Sequence, residues 1–429
     1  LEAIVRRALG VLVLALLLLP TWRATPEPAA AQTVSTIPPY LVLGPDGVPI
    51  ARAITSNDRC PVASFAGVAV PMEPRARPSA AFPVLVCELP VPPSVFPVTI
   101  DGSTLPLVPS SPRRIAVVGD TGCRIKGHRG QACHDPDQWP LATVAQSIAA
   151  YRPDLIIHVG DWLYREDPCP AGHPGCAGSP YGDTWEAWRA DWFAPAAPAF
   201  LAAPWVMVRG NHEVCERGGD GWFRLLDPRP YQATCEPITD PYRVPFAGLN
   251  LVVLDSGAAD DEIAHPAQVA LYRDQLARAV ELIGNRGWLV THRPLYAVGP
   301  YSRPIDSPPS NRTLAEAAPR VWPDSIDLIL SGHVHLWAAV GFALSATGRP
   351  SQWVVGNGGT ELEPPFTLSF ESLRVAGELA SPESRYIGDQ FGFLTFEPGG
   401  PGAWTAVARD RNGFPMVTCS LSGKQFACR

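Results

Sequence analysis

The chain has 429 residues, enough for one large domain or two to three smaller ones around a sizeable core. Apolar types make up 46% and charged types 17%, which excludes both a disordered chain and a membrane bundle; 49 prolines and 37 glycines without a triplet repeat exclude collagen and call for long irregular loops. A net charge of −7 provides no overall basic surface, so no specific nucleic-acid partner is indicated.

In chain order, the first feature is Arg6-Arg7, then an apolar run over 8–19, then Ala29-Ala30-Ala31. These three parts read as a secretory signal over residues 1–31, whose apolar run is short for a membrane span. No stable span is expected after its removal, and the protein is placed in a secreted or periplasmic location. All ten cysteines lie beyond this segment, and an even count in an exported chain reads as disulfides. Neighbours in sequence suggest Cys60 with Cys87, Cys123 with Cys133, Cys169 with Cys176, Cys215 with Cys235, and Cys419 with Cys428. A thiolate metal site would need close CxxC pairs, and there are none.

Residues 32–111 read as a small β-rich N-terminal domain and linker. Short extended runs such as 82–87 alternate with Pro-rich turns, and helical periodicity is absent. From Arg114 the texture changes, and 112–429 reads as the catalytic domain with C-terminal strands. Apolar runs at 115–118, 155–159, 205–208, 251–254, 288–290 and 326–330 have the character of buried strands. Helical patterns fall at 139–150, 184–193 and 266–283. Short buried strands separated by helices predict an α/β layered fold. The later runs 352–355, 392–396 and 404–407 are expected as further strands of a second sheet.

Polar residues gather at the ends of these strands. Asp120, Asp161, Asn211, His292 and the pair His333 and His335 each follow an apolar run, and strand ends converge on one edge of an α/β sheet. Two carboxylates, one amide oxygen and three imidazoles suit two hard-to-borderline cations. His333 and His335 would face one side on a strand and can diverge in a loop. One Gly-Asp after a strand is ordinarily a turn, and one Asn-His a surface loop. Five such ends with complementary ligands are not explained that way.

The motifs Gly119-Asp120-Thr121-Gly122, Gly160-Asp161-Trp162-Leu163-Tyr164, Gly210-Asn211-His212-Glu213, Thr291-His292 and Gly332-His333-Val334-His335 resemble the signature blocks of the calcineurin-like metallophosphoesterases. The resemblance spans about residues 114–360 and implies an α/β/β/α sandwich with two mixed sheets, preceded by the β-rich region. Tyr164, three residues after Asp161, and Gly122, where other members carry a histidine, resemble the purple acid phosphatase branch. That resemblance implies a first ion on Asp120, Asp161, Tyr164 and His335, and a second on Asp161, Asn211, His292 and His333. Fe³⁺ is implied at the first site, with Fe²⁺, Zn²⁺ or Mn²⁺ at the second. It also implies that His212 is catalytic, binding a substrate oxygen or protonating the leaving group, and Glu213 is expected to orient its neighbours. Arg165 and Arg209 are candidates for neutralising phosphate. The loop after His292 lacks the further histidines of that branch, and Arg293 or Tyr296 is a candidate substitute. Asn311-Arg312-Thr313 is a glycosylation sequon.

The implied activity is hydrolysis of a small phosphorylated substrate by metal-activated water, with phosphomonoesters first and phosphodiesters or nucleotides as the alternative. An inactive secreted binding module is the reading from another class, and it would ordinarily lack a ligand or His212; neither is missing.

Overall fold

Strands that are apolar throughout must be covered on both faces, and the layers of this molecule follow from that requirement. The computed structural model describes residues 37–92, 96–342 and 347–429. The signal segment expected over 1–31 lies outside them. Ile115–Val118, Leu155–His158 and Trp205–Met207 run parallel in the middle of one sheet. Leu249–Leu254, Gly287–Thr291, Ile326–Ser331 and Ser351–Val355 form the parallel part of a second. Both sheets are mixed, because Gly392–Gly400 pairs antiparallel with Ile115–Val118 and Tyr242–Phe246 antiparallel with Leu249–Leu254.

The pleat sorts the side chains. Ile115 and Val117 enter the core shared with Val253, Trp288, Val290 and Leu330 of the second sheet. Ala116 and Val118 point the other way, towards the helix Leu141–Tyr151 and the tryptophan-rich segments Trp185–Trp188 and Arg189–Phe193. The helix Pro266–Ile283 covers the far face of the second sheet, against Val252, Leu254 and Leu289. The layers are therefore α/β/β/α, as the motifs implied. Helix ends match local chemistry: Pro266 opens its helix, where no backbone hydrogen is needed, and Arg152 turns left-handed (φ 54°) to end Leu141–Tyr151 before Pro153.

The N-terminal residues are β-rich. Tyr40–Leu43 lies parallel beside Trp205–Met207, and Pro49–Thr55, Leu85–Pro90 and Glu73–Ala76 continue the first sheet outward. Val62–Phe65, Val68–Pro71, Val98–Ile100 and Ser103–Thr104 form a smaller sheet packed on them through Ala63, Val98 and Ile100. Buried Arg52 and Arg75 tie this region to the rest by donating to the carbonyls of Leu225 and Phe223 at 2.8 and 2.7 Å.

One expectation is corrected. The strands Gly392–Gly400 and Ala403–Asp410 belong to the first sheet, not the second. Their alternation specifies a strand but not its neighbour. The chain leaves the second sheet after Arg385–Ile387 and closes the edge of the first, where Leu394, Phe396, Ala406 and Ala408 complete the shared core. All five cysteine pairs suggested by adjacency are disulfides, which indicates an oxidising compartment. Among the described residues no helix is long and apolar enough to cross a membrane.

Candidate metal centre

The parallel strands of both sheets end on the same side, and the loops after them carry the polar residues. Three of these hold a left-handed backbone that non-glycine residues rarely adopt: Asp120 (φ 56°), Asp161 (φ 59°) and His333 (φ 73°). Such conformations cost about 1–3 kcal/mol each and persist where the surroundings fix them. Gly160 (φ 100°) leaves room for His292, whose ring a Cβ there would meet at 2.5 Å. Gly122 is equally constrained. A Cβ would stand 2.8 Å from Asp191 Oδ2 and from the backbone of Trp162 and Tyr164, so no histidine fits at this position.

Hydrogens are short around the converging donors. The Tyr164 hydroxyl lies 3.0 Å from Asp120 Oδ1, 2.8 Å from Asp161 Oδ2 and 2.9 Å from His335 Nε2. His335 Nδ1 donates to the Glu361 carbonyl at 2.8 Å, so its Nε2 presents a lone pair. One phenolic hydrogen thus faces three acceptors. His292 repeats the pattern: Nδ1 donates to the Val159 carbonyl at 2.9 Å, and Nε2 faces Asn211 Oδ1 at 3.0 Å and Asp161 Oδ2 at 3.2 Å. Candidate ligand atoms of Asp161, His292 and His333 all lie within 4.8 Å of one another. Lone pairs gathered without hydrogens are what a cation satisfies, so these residues fit a metal centre.

The electrostatics agree. Burial holds the imidazoles of His333 and His335 neutral, down to about 4 and about 3. Burial, then the Asp120 and Asp161 carboxylates, push the Tyr164 phenol well above its ordinary range. Burial and the adjacent Asp161 push Asp120 up. Burial also acts to raise Asp161, but His292 and His212 outweigh it and hold that carboxyl well below the usual range. In the loop Gly332–Leu336 the two histidines diverge. His335 turns to Tyr164, whereas His333 Nε2 lies 3.0 Å from Asp261 Oδ2.

His212 stands beside this cluster, its ring centroid 3.7 Å from that of Tyr164. Its backbone N–H donates to Asp161 Oδ1 at 2.9 Å. Its Nδ1 lies 3.1 Å from the Leu163 carbonyl and 3.0 Å from Glu166 Oε1. The donor-only Arg217 guanidinium lies 2.8 Å from the same nitrogen, and Nε2 lies 3.7 Å from Asp161 Oδ2. Glu213 accepts from the backbone N–H groups of Asp161, Trp162, Leu163 and Gly210 at 2.8–3.1 Å, so it orients the loops that carry the donors.

Other expectations are corrected. Arg165 is buried against Asp191 at 2.5 Å, and Arg209 against Asp255 and the Glu213 and Glu236 carbonyls. Neither guanidinium is available to phosphate. Tyr296 is buried against Phe342 and Arg349, away from the cluster. Arg293 does reach the site, pairing with Asp261 and lying 3.2 Å from His333 Nε2. The sequon asparagine, Asn311, is fully buried. Its side chain accepts from Leu314 N–H at 2.7 Å, capping the helix Arg312–Ala317, and donates to Asp261 Oδ1 at 2.8 Å. It is a structural cap and not a surface acceptor for glycan.

Sequence reasoning missed Asp261, Glu166, Arg217 and Arg124. Only the closeness of Arg217 to His212 and of Arg124 to Asp120 in the chain hinted at them. A cavity of about 300 Å³ over the cluster is lined by Arg124, Lys126, Asp161, Asn211, His212, Arg217, His333, His335 and Glu363. Two larger cavities, each about 600 Å³, flank it. One is bounded by Arg217, Arg293 and Asp261; the other by Ile263, Tyr301, Pro308, Pro309 and Val334.

The chain is similar in fold to two solved structures. One is the purple acid phosphatase PPD1 from yellow lupin (Lupinus luteus) seeds, at 14% identity and a TM-score of 0.56, covering 90% of this chain and 74% of that one. The other is PhoD, at 12% identity and a TM-score of 0.56, covering 93% of each chain. No curated protein matches the chain. Residues 113–336 match the family model of the calcineurin-like phosphoesterases, a stretch that holds all five motifs and more than half of the sequence. The chain belongs to the calcineurin-like phosphoesterase family and is a metal-dependent hydrolase of phosphate esters.

Proposed function

We propose that the chain hydrolyses phosphomonoesters at a dinuclear centre, in the manner of an acid phosphatase. The observation that carries this reading is the convergence of lone pairs on two adjoining points with Asp161 Oδ2 between them. Asp120, Asp161, Tyr164 and His335 would hold one ion. Asp161, Asn211, His292 and His333 would hold the other. The set with a phenol oxygen suits Fe³⁺; the set with two imidazoles suits Fe²⁺, Zn²⁺ or Mn²⁺. When bound, such ions supply positive charge to the phosphoryl oxygens and lower the pKa of water. The likeness to a purple acid phosphatase supports the reading through the fold.

The chain's own residues do the rest. His212 meets the substrate through Nε2, where it accepts or delivers a proton at a phosphoryl or leaving oxygen. Asp161 fixes the backbone of His212, and Glu166 and the Leu163 carbonyl fix its ring. The disulfides and the sequence over 1–31 support a secreted or periplasmic enzyme. One observation favours a second reading, phosphodiester hydrolysis: each flanking cavity has room for one ester substituent.

The test is turnover of phosphomonoesters, diesters and nucleotides by the metal-loaded protein, with metal analysis and visible spectra. Aerobically purified protein is expected to absorb in the visible, and Tyr164→Phe to bleach it without emptying the second set. His212→Ala is expected to keep both ions and lose roughly 10²–10⁴ in rate. A colourless, iron-free and fully active enzyme would refute the Fe³⁺ assignment. Near-normal turnover of His212→Ala would remove that residue from the mechanism.

A further inference from the structure

The arginines around the reaction cavity differ in what already holds them. Arg165 is engaged by Asp191, and Arg293 by Asp261. Arg217 donates to both carboxylate oxygens of Glu166 and, at 3.0 Å, to the Asn211 carbonyl. Lys126 lies 3.1 Å from Glu166. Arg124 is different. Its Nε is buried without a partner, and its guanidinium makes no hydrogen bond or ion pair with any described residue. Arg124 is half-buried, and its two terminal nitrogens are open to the cavity, where an anion can complete them.

Its position is fixed from below. Arg124 N–H donates to Gln131 Oε1 at 2.9 Å, and the same Gln131 donates to the Gly359 carbonyl at 2.9 Å. The preceding Cys123 is bridged to Cys133, and its N–H donates to Asp191 Oδ1 at 3.0 Å. From this anchored stem the side chain lines the cavity with Asp161, Asn211, His212 and His335.

We infer that Arg124 binds the phosphoryl oxygens of the substrate, as a catalytic residue that offers two parallel N–H donors. The inference rests on the phosphoesterase reading above for its catalytic part. A guanidinium matches two phosphate oxygens at once, which an ammonium cannot do. Negative charge that shifts onto those oxygens during transfer would strengthen both bonds.

The experiment uses the metal-loaded full chain, with inorganic phosphate as the probe and ester turnover measured in parallel. Arg124→Gln is expected to weaken phosphate binding at least about tenfold and to lower kcat/KM roughly 10²-fold, with metal content and Tm unchanged. Arg124→Lys, which keeps the charge and the long stem, is expected to restore only part of each, and it carries the test if the Gln variant disturbs folding. Phosphate affinity and kcat/KM within about twofold of wild type in either variant would overturn the inference. A wild type that cleaves no ester but binds phosphate through Arg124 would leave the binding role standing and sink the enzymatic reading. Ester cleavage with unchanged phosphate affinity in Arg124→Gln would sink the inference alone.

Discussion

The two sheets hold their halves of the site by different means. On the first-sheet side, buried carboxylates grip the main chain. Glu213 takes four backbone N–H groups, and Asp191 takes those of Cys123, Tyr164 and Arg165. On the second-sheet side, Asp261 is 30% exposed and grips side chains: the His333 imidazole, the Arg293 guanidinium and the Asn311 amide. Main-chain anchors cannot let go without refolding their loops, whereas side-chain anchors can change rotamer. The first half is a fixed scaffold for Asp120, Asp161, Tyr164 and His212. The second half borders both larger cavities, where it can adapt to what the substrate carries.

The largest effect is expected at Glu213. Glu213→Ala leaves four buried N–H groups without an acceptor, at about 1–3 kcal/mol each before relaxation. That is a large part of the roughly 5–15 kcal/mol by which a domain is stable. Thermal unfolding should show a loss of many degrees, and metal analysis should show both donor sets impaired together. A variant that melts near the wild type with both ions bound would break the scaffold half of the comparison.

Asp261→Ala should behave differently. It releases His333 and Arg293 but no backbone group of the donor loops. Affinity for the second ion should fall about 10–100-fold, as when the partner of a ligating histidine is lost. Tm should move little, and the first ion should stay. Metal titration of the two variants side by side sharpens the contrast. A fall in Tm as large as that of Glu213→Ala would erase it.

The same division explains what could be read from the sequence. Strand-end motifs were legible because each parallel strand is an unbroken apolar run that stops on a polar residue, as 115–118 stops before Asp120 and 326–331 before His333. The supports were not. Asp261, Glu166, Asp191 and Arg124 come from loops and a helix whose approach to the site is a tertiary event with no local period. Asn311 shows the converse: its sequon is a local pattern, and its burial as a cap gives it a different use. Strand type was legible at 392–396 and 404–407, but sheet membership was not, since either open edge would accept an alternating strand.

The smallest effect concerns His158, which lies behind the scaffold half. Its ring stacks on Trp162 with centroids 3.4 Å apart, and its Nδ1 accepts from Gly160 N–H at 3.2 Å. The hydrogen is therefore on Nε2, which donates to Thr121 Oγ1 at 3.0 Å. Burial, and then the charge of His292, hold its pKa well below the ordinary 6.5. In the unfolded chain the same ring takes up a proton near pH 6.5. Below that pH the unfolded state binds a proton that the folded state refuses. The stability contributed by His158 is therefore fully present above about pH 6.5 and is lost as pH falls towards the folded-state value, by up to about 1.4 kcal/mol per pH unit. His158→Asn removes this dependence, whatever it does to Tm at neutral pH through the lost stacking. The readout is the slope of unfolding free energy between about pH 6.5 and 5, measured for both proteins at the same metal loading. A shallower slope in the variant is expected. Equal slopes would mean that His158 takes up its proton in the folded state, and that the loop carrying Asp120 and Thr121 is less rigidly held than its main-chain anchors imply.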